Sequence, residues 1–487
     1  MPVSDNHPDY QAALPQWEMS RDAVAGSTAI KTRQSMSENN QSGGNMAGVR
    51  YLPMPNPEDQ SIENRQRYAD YKLRANYVNV TGQTKEGMVG LVYRIDPTVI
   101  LPPTIEYLNG STDGGAITLN QLSKGALCDC LEVGRSGILT DYPMADIGLT
   151  QSEVSALELR ANLLRYTAES IINWRTIKVG GVKKLSLVVL AEPTQKLSED
   201  GFSYESVIYH RVLRLTNGIY SQSLYDEDDK VIETDSGETL IFPRKSNGAL
   251  WNEIPFTFIG TEDNDEAVDK ATLYDIAEVN IAHYRNSADY EESSYMVGQP
   301  TPYVTGLTQG WVDAVLDGKI TLGSRAAILL PEGASAGLIQ AQSNQMPIEG
   351  MKHKEQQMIQ IGARIITDQS GNETATGAKI KFAGQNSKLG LIVQNTELAY
   401  KKLLDWCDEF MGGSFDNDIQ INKQFYEATV NPQLLTAQIM LMDRNVITKT
   451  DVRDGLRKSG VIDSMRLESD QDIATLLNTV HRIAVLG

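Results

Sequence analysis

Apolar side chains at Leu273, Ile276, Ala277, Ile281, Tyr284 and Ala288 recur at three- and four-residue intervals, which puts them on one face of a helix. Asp275, Glu278, Asn286, Asp289 and Glu292 fall on the other side. The pattern predicts one rod over 270–292, roughly 33 Å long at ~1.5 Å per residue. A stretch punctuated by Pro300, Pro302 and Pro331 follows, with short strand-like runs and no sustained helical period. Helical spacing returns over 347–365, where Gly350 and Gly362 each weaken a helix by up to about 1 kcal/mol and predict a shorter or kinked second rod. A polar loop, 366–378, separates that rod from a long amphipathic helix predicted from Lys379 to about Gly412.

The pattern is more varied upstream. Residues 1–50 are polar and nearly aperiodic, ending in SMSENNQSGGN, and read as a mobile or partner-ordered arm. Helical spacing runs from Glu58 to Arg94, with Tyr68, Tyr71, Ala75 and Val78 at three- to four-residue intervals and Met88, Leu91 and Val92 beyond Gly82 and Gly87. The basic residues Arg65, Arg67, Lys72 and Arg74 there sit beside Glu63 and Asp70, and read as a solvated or subunit-facing side with mixed ion pairs. Residues 119–134 predict a helix and RSGILTDYP a strand. From Ser152, a candidate cap, Leu157, Ala161, Leu164 and Ala168 predict another helix leading to Trp174. Between 176 and about 260 the period changes to two, with NG, DG and SG turns, which predicts an antiparallel β insert with a hairpin over Leu213–Tyr220. Beyond the central stretch, Pro432 marks a helix start, Thr448 and Gly460 bracket another helix, and the last 25 residues predict one more.

Composition narrows the class. The 487 residues are enough for two to four packed units, and 41% hydrophobic content supports real cores. With 44 Lys+Arg against 63 Asp+Glu the net charge is −19, which argues against a protein that wraps nucleic acid by neutralising phosphates. It is compatible with a surface past which DNA slides without being gripped. The three cysteines, Cys128, Cys130 and Cys407, have no framework or metal spacing and read as small buried hydrophobes in a reducing compartment. There is no apolar run of transmembrane length and no charged segment followed by an apolar leader, so the expectation is a soluble protein made in the cytoplasm.

A search for catalytic chemistry finds none. The nearest approach to a phosphate-binding loop, Gly371 to Lys379, has one residue too many between its glycines, Ala378 before the lysine, and Ile380 where a magnesium-binding Ser or Thr belongs. His353-Lys-Glu355 lacks the P-C-x-x-C partner of a zinc deaminase. The five histidines are scattered without HExxH spacing, and His283 reads as a subunit contact. The acidic run Asp226–Asp229 reads as a solvated turn, and a nuclease built on such acids is the enzymatic alternative. The expectation is therefore a protein that is not an enzyme and uses no cofactor or metal.

The segments YKLRANYVNVTGQTKEGMVGLVYR, GRSGILTDYP, SIINWR and LYDIAEVNIAHYRNSADYE resemble those of tailed-bacteriophage portal proteins, in particular the branch long catalogued only as a phage protein of unknown function. SGNETATGAKIKFAGQNSKLGLIVQNTELAYKKLL is similar to the polar loop and following helix of portals generally. The resemblance runs from about residue 50 to 460. It implies an α+β, mostly helical portal fold assembled as a ring, usually of twelve copies, at a capsid vertex of the virion.

In that scheme 51–265 is the wing, 266–292 and 347–365 are the stem helices, and 293–346 is the clip. The tunnel loop is 366–378, the wing's long helix and return strand 379–433, and the crown 434–487. The implied function is a channel for packaging and ejecting double-stranded DNA, touched without sequence preference. Implied partners are further copies, the terminase large subunit, a head-tail adaptor and the major capsid protein, with no membrane. Gln369, Ser370, Gly371, Asn372, Lys379 and Lys381 would face the duplex, with Lys352 and Lys354 as secondary channel residues; the two lysines after the loop serve equally well as intersubunit ion-pair partners. The competing reading is another ring-forming head-completion or internal virion component, a class usually shorter and without the rod–lobe–rod–loop order.

Overall fold

The computed structural model describes residues 2–33, 49–143, 159–198, 201–233, 237–315, 330–340, 345–366, 387–413, 416–423, 425, 440 and 442. In chain order its helices are α1 (Pro8–Ala25), α2 (Ser27–Thr32), α3 (Ile62–Arg74), α4 (Val80–Val92), α5 (Leu119–Val133), α6 (Tyr274–Gly298), α7 (Gln309–Val315), α8 (Met346–Ile366) and α9 (Lys388–Met411). The strands are β1 (Thr98–Ile100), β2 (Arg135–Asp141), β3 (Asn162–Thr167), β4 (Ile171–Val179), β5 (Val182–Leu197), β6 (Tyr204–Thr216), β7 (Ile219–Tyr225), β8 (Val231–Ile232), β9 (Phe256–Gly260), β10 (Thr301–Thr305), β11 (Ser335–Ile339) and β12 (Asp418–Gln420). The fold is α+β, and the chain divides into two compact units. Unit 1 holds Met1–Val24, Thr81–Asp275 and Ile361–Gly487; unit 2 holds Ala25–Val80 and Ile276–Gln360.

Unit 1 is built on a three-stranded antiparallel sheet, β3-β2-β9, against which α5 and α9 pack. Ile138 and Ile259 share the face of Ser136, which bonds Asp129 of α5, while Leu139, Phe256 and Phe258 lie on the other face, beside Ile171 and Trp174; all are buried, as are Leu127, Leu131, Ile392, Tyr400 and Leu403 of the two helices. Thr118 and Gln121 form a reciprocal capping box at the start of α5. Ser387 caps α9 through the Gly390 amide. A five-stranded antiparallel meander, β4-β5-β6-β7-β8, forms a second sheet. Its β6–β7 hairpin turns on Asn217 and Gly218, both at positive φ, as a two-residue turn that matches strand twist requires.

Two expectations for this unit fail. The helix predicted from Ser152 to Trp174 is, over its described part, the strands β3 and β4. Its helical spacing was coincidental: β3 zips onto β2 from Ser136↔Thr167 to Asp141↔Asn162, and Ile171, Ile172 and Trp174 are β-formers that pack as strand residues. In its described part the N-terminal arm is helical over Pro8–Ala25 and Ser27–Thr32 instead of aperiodic, because α1 is docked at both ends. Trp17 is fully buried, and the Tyr10 hydroxyl donates to the Glu169 carbonyl at 3.0 Å. The Arg21 guanidinium reaches Glu169, Glu132 and Asp129 at 2.8, 2.7 and 2.9 Å. Such a helix shows little amphipathic period, because the polar Ser20 and Asp22 are buried along with Tyr10, Trp17 and Ala23.

Unit 2 gathers α2, α3, nearly all of α6 and most of α8 with a small two-stranded sheet, β10-β11, and α7. Tyr68 of α3 is buried; its hydroxyl donates to the Leu52 carbonyl at 2.6 Å and accepts from the Val49 amide at 2.8 Å. The helix read continuously from 58 to 94 breaks between α3 and α4. Ala75–Asn79 are instead strapped to α6, with the Asn76 amide donating to Ser287 Oγ and Asn280 Nδ2 donating to the Val78 carbonyl. Val78, expected on the apolar face, is exposed there.

Candidate functional site

All six residues predicted to share a face of the first rod, Leu273, Ile276, Ala277, Ile281, Tyr284 and Ala288, are buried. The rod itself is α6, of 25 residues, running six residues beyond the expected end. Its opposite side is polar and partly engaged by α3: Tyr71 donates to Asp289 at 2.7 Å, and Arg74 pairs with Glu292 while lying over the Tyr295 ring at 4.2 Å. Burial, then the neighbouring Asp289, pushes the Tyr71 phenol upward, so it stays a donor at any physiological pH. Of the basic cluster on α3, Arg74 therefore finds its acid within the chain.

The second rod is α8, 21 residues long, and it is antiparallel to α6. His283 Nε2 of α6 faces Glu355 Oε1 of α8 at 3.4 Å, and Asn286 faces Gly350. Contact numbers that fall on one helix as they rise on the other define the direction. The helix is not shortened at its glycines. A Cβ at Gly350 would sit 2.6 Å from Asn286 Nδ2, so the Asn286 side chain of α6 occupies the space over this glycine. His283 is a correction: it is buried and turned toward Glu355 of its own chain, where a subunit contact was expected. Helical spacing alone cannot distinguish a buried polar contact with the next helix from one with the next molecule.

Between the rods lies β10 paired antiparallel to β11, from Thr301↔Ile339 to Thr305↔Ser335, with α7 following β10. The Gln340 amide ties this lobe back to the end of α6 by donating to the Val297 carbonyl at 3.0 Å. Of the residues singled out as DNA-facing, Lys352 is exposed on α8 and Lys354 is half-buried one turn from Gly350. Gln369, Ser370, Gly371, Asn372, Lys379 and Lys381 lie outside the described residues, as do the helices expected beyond residue 442.

No group of three or more His, Cys, Asp or Glu among the described residues is placed to hold a metal ion. Cys130 and Cys407 are buried as expected, and burial raises both thiols; Cys128 is only half-buried. No described helix is long and apolar enough to cross a membrane.

Comparison with known proteins gives a family model described as a domain of unknown function (DUF4055), matching residues 272–411, which include α6, the lobe, α8 and α9. No curated protein matches. Among solved structures, the chain is similar to one in the virion of a native gene transfer agent particle, at 12% identity and TM-score 0.37 over 79% of this chain and 89% of that one. It is similar at 11% identity, with the same TM-score and coverage, to a chain in the neck of that particle computed with C12 symmetry. An HK97-family phage portal protein from Corynebacterium diphtheriae matches at 10% identity and TM-score 0.31, over 71% of this chain and 92% of that one.

Proposed function

We propose that this chain is a structural component of a phage-like particle, a portal that assembles with copies of itself into a ring and lets duplex DNA through. The observation that carries the reading is the antiparallel pair α6 and α8, joined by a small β lobe. Two antiparallel rods joined by a compact lobe make a natural lining element when repeated about an axis. The segment resemblances to portal proteins point the same way.

The role is passive. A net charge of −19 per chain disfavours adhesion of a polyanion, and a few cations near the axis, with Lys352, Lys354, Lys379 and Lys381 as candidates, supply weak sequence-blind phosphate contacts. Work on the DNA belongs to a separate motor, and the chain itself is not an enzyme. The terminase large subunit, head-tail adaptor and major capsid protein are the partners this role requires.

Negative-stain imaging of the purified protein tests the reading. Rings with a central hole at least as wide as duplex DNA are expected, and solid particles or monomers in every condition count against it. Deleting 368–377 should leave ring assembly intact and impair DNA retention; loss of assembly would assign that loop a structural part.

A further inference from the structure

The five-stranded sheet leaves two strand edges without a neighbouring strand. β4 pairs with β5 alone, so over Arg175–Val179 its alternate backbone groups face away from β5, and no described strand takes them up. The N-terminal segment reaches this edge only at its start, where the His7 amide donates to the Ile172 carbonyl and Asn173 donates to the Asp5 carbonyl. The register shift beside Arg175 leaves its extra residue, Ser186, in β5, so β4 alternates there without a break. Across the sheet, β7 pairs with β6 only from His210↔Tyr225 to Thr216↔Ile219. Beyond that, β5 and β6 run on as a two-stranded ribbon to Leu197↔Tyr204, which leaves β6 an open edge over 204–209. The order β4-β5-β6 turns the two open edges in opposite directions.

Open edges are ordinarily blunted by proline, by bulges or by charge. The ribbon's other edge, on β5, carries Pro193, but neither 175–179 nor 204–209 holds a proline. Both expose apolar side chains: Ile177 and Val179 alternate onto one face of β4, and Tyr204 and Ile208 onto one face of the ribbon. Their charges are opposite. Arg175 and Lys178 are exposed on β4 and Glu205 on β6, and none of the three enters an ion pair among the described residues. Two β4 edges therefore repel each other, while a β4 edge and a β6 edge attract.

We propose that the β6 edge over 204–209 of one copy pairs with the β4 edge over 175–179 of a second copy, so that the sheet runs on from chain to chain. Main-chain hydrogen bonds supply the contact, and the opposite charges and apolar side chains select the partner edge. The contact is heterologous: every copy offers one edge of each kind, which builds a ring when the rotation closes. In side-by-side copies the two strands run the same way, since both are antiparallel to β5. The two stretches lie at different heights along β5, so closure inclines the strands to the ring axis, as shear does in a barrel. The inference rests on the reading that the chain self-assembles.

Hydrogen exchange and two charge reversals test it. Between dilute monomer and assembled protein, alternate amides in 175–179 and 204–209 should slow at least about tenfold as they enter a shared ladder. K178E sets an acid against Glu205, and E205K sets a cation against Arg175 and Lys178; both change only exposed side chains. Each alone should weaken self-association about fivefold by analytical ultracentrifugation, and mixing the two should restore it, because the reversed edges complement one another. Recovery on mixing also shows that both variants are folded. Assemblies in which both stretches exchange as fast as in the monomer, or variants that both assemble at the wild-type concentration, would overturn the inference and leave the ring reading intact. A wild-type protein that stays monomeric at every concentration would overturn both. Protection of 204–209 without protection of 175–179 would assign the ribbon to an unlike partner and overturn the pairing.

Discussion

Replacing Arg21 by Met removes the cation at the centre of the contact that fixes α1. Arg21 makes four charge-assisted bonds: Nε to Glu169 at 2.8 Å, Nη1 to Glu132 at 2.7 Å, and Nη2 to Asp129 at 2.9 Å and to Glu169 at 3.2 Å. The side chains of Asp129 and Glu132 are only 4% and 8% exposed, so solvent cannot replace the lost donors. Breaking a buried pair by removing one partner costs about 3–5 kcal/mol. Two neighbours soften the loss here, since Arg165 still meets Asp129 and Lys85 still meets Glu132 at 3.1 Å. Glu169 loses its cation but is about 29% exposed and can be partly hydrated. A cost of about 3 kcal/mol follows, at the low end of that range. Hydrogen exchange over 8–25 is the assay: protection of α1 amides should fall roughly 150-fold if docking of that helix opens locally. Arg21→Lys should recover only part, because one ammonium cannot span three carboxylates. A change below threefold in R21M would mean that α1 is not held by this contact, and that the reading of residues 1–50 as a loose arm describes solution behaviour better.

The same contact sets a pH dependence. Burial raises the Glu169 carboxyl, but its hydrogen bonds to Arg21 outweigh that and hold it below the usual glutamate range, so its stabilisation is present above about pH 4.5 and lost as pH falls. Glu169→Gln should flatten the acid-side loss of α1 protection, and an unchanged profile would refute the assignment. Arg135 is buried between Trp174 at 4.4 Å and Phe258 at 4.1 Å, and burial pushes it down to about 10. That shift corresponds to roughly 3 kcal/mol against the charged form below pH 10, similar in size to two desolvated cation–π contacts. Arg135→Met should therefore lie within about 1.5 kcal/mol of wild type by denaturant midpoint, and a loss above 3 kcal/mol would refute this balance. Tyr68→Phe leaves the Val49 amide and Leu52 carbonyl without their partner and should cost about 2–3 kcal/mol, read from the same titration. At Gly350, Ala should be tolerated within about 1 kcal/mol, since the Asn286 amide can swing aside and Ala favours helix; Leu should cost more than 2 kcal/mol by forcing α6 and α8 apart.

The amino-acid order by itself determined the elements whose burial is one-sided and apolar. The α6 face, the α5 helix, the Asn217-Gly218 hairpin and the second rod all follow from periodicity and turn chemistry, which local residues set. Tertiary structure alone decided the rest. Arg21 has no sequence neighbour that reveals its three acids, which come from residues 129, 132 and 169, so α1 carries no readable apolar stripe. Residues 162–174 were read as helical from their spacing, and pairing with β2 and β5 overrode it. Gly350 looked like a weak point in a helix until Asn286 was found against it. Local period records which side of an element avoids water; which distant charges and backbones meet is fixed by the packing of whole elements, and no local window contains that information.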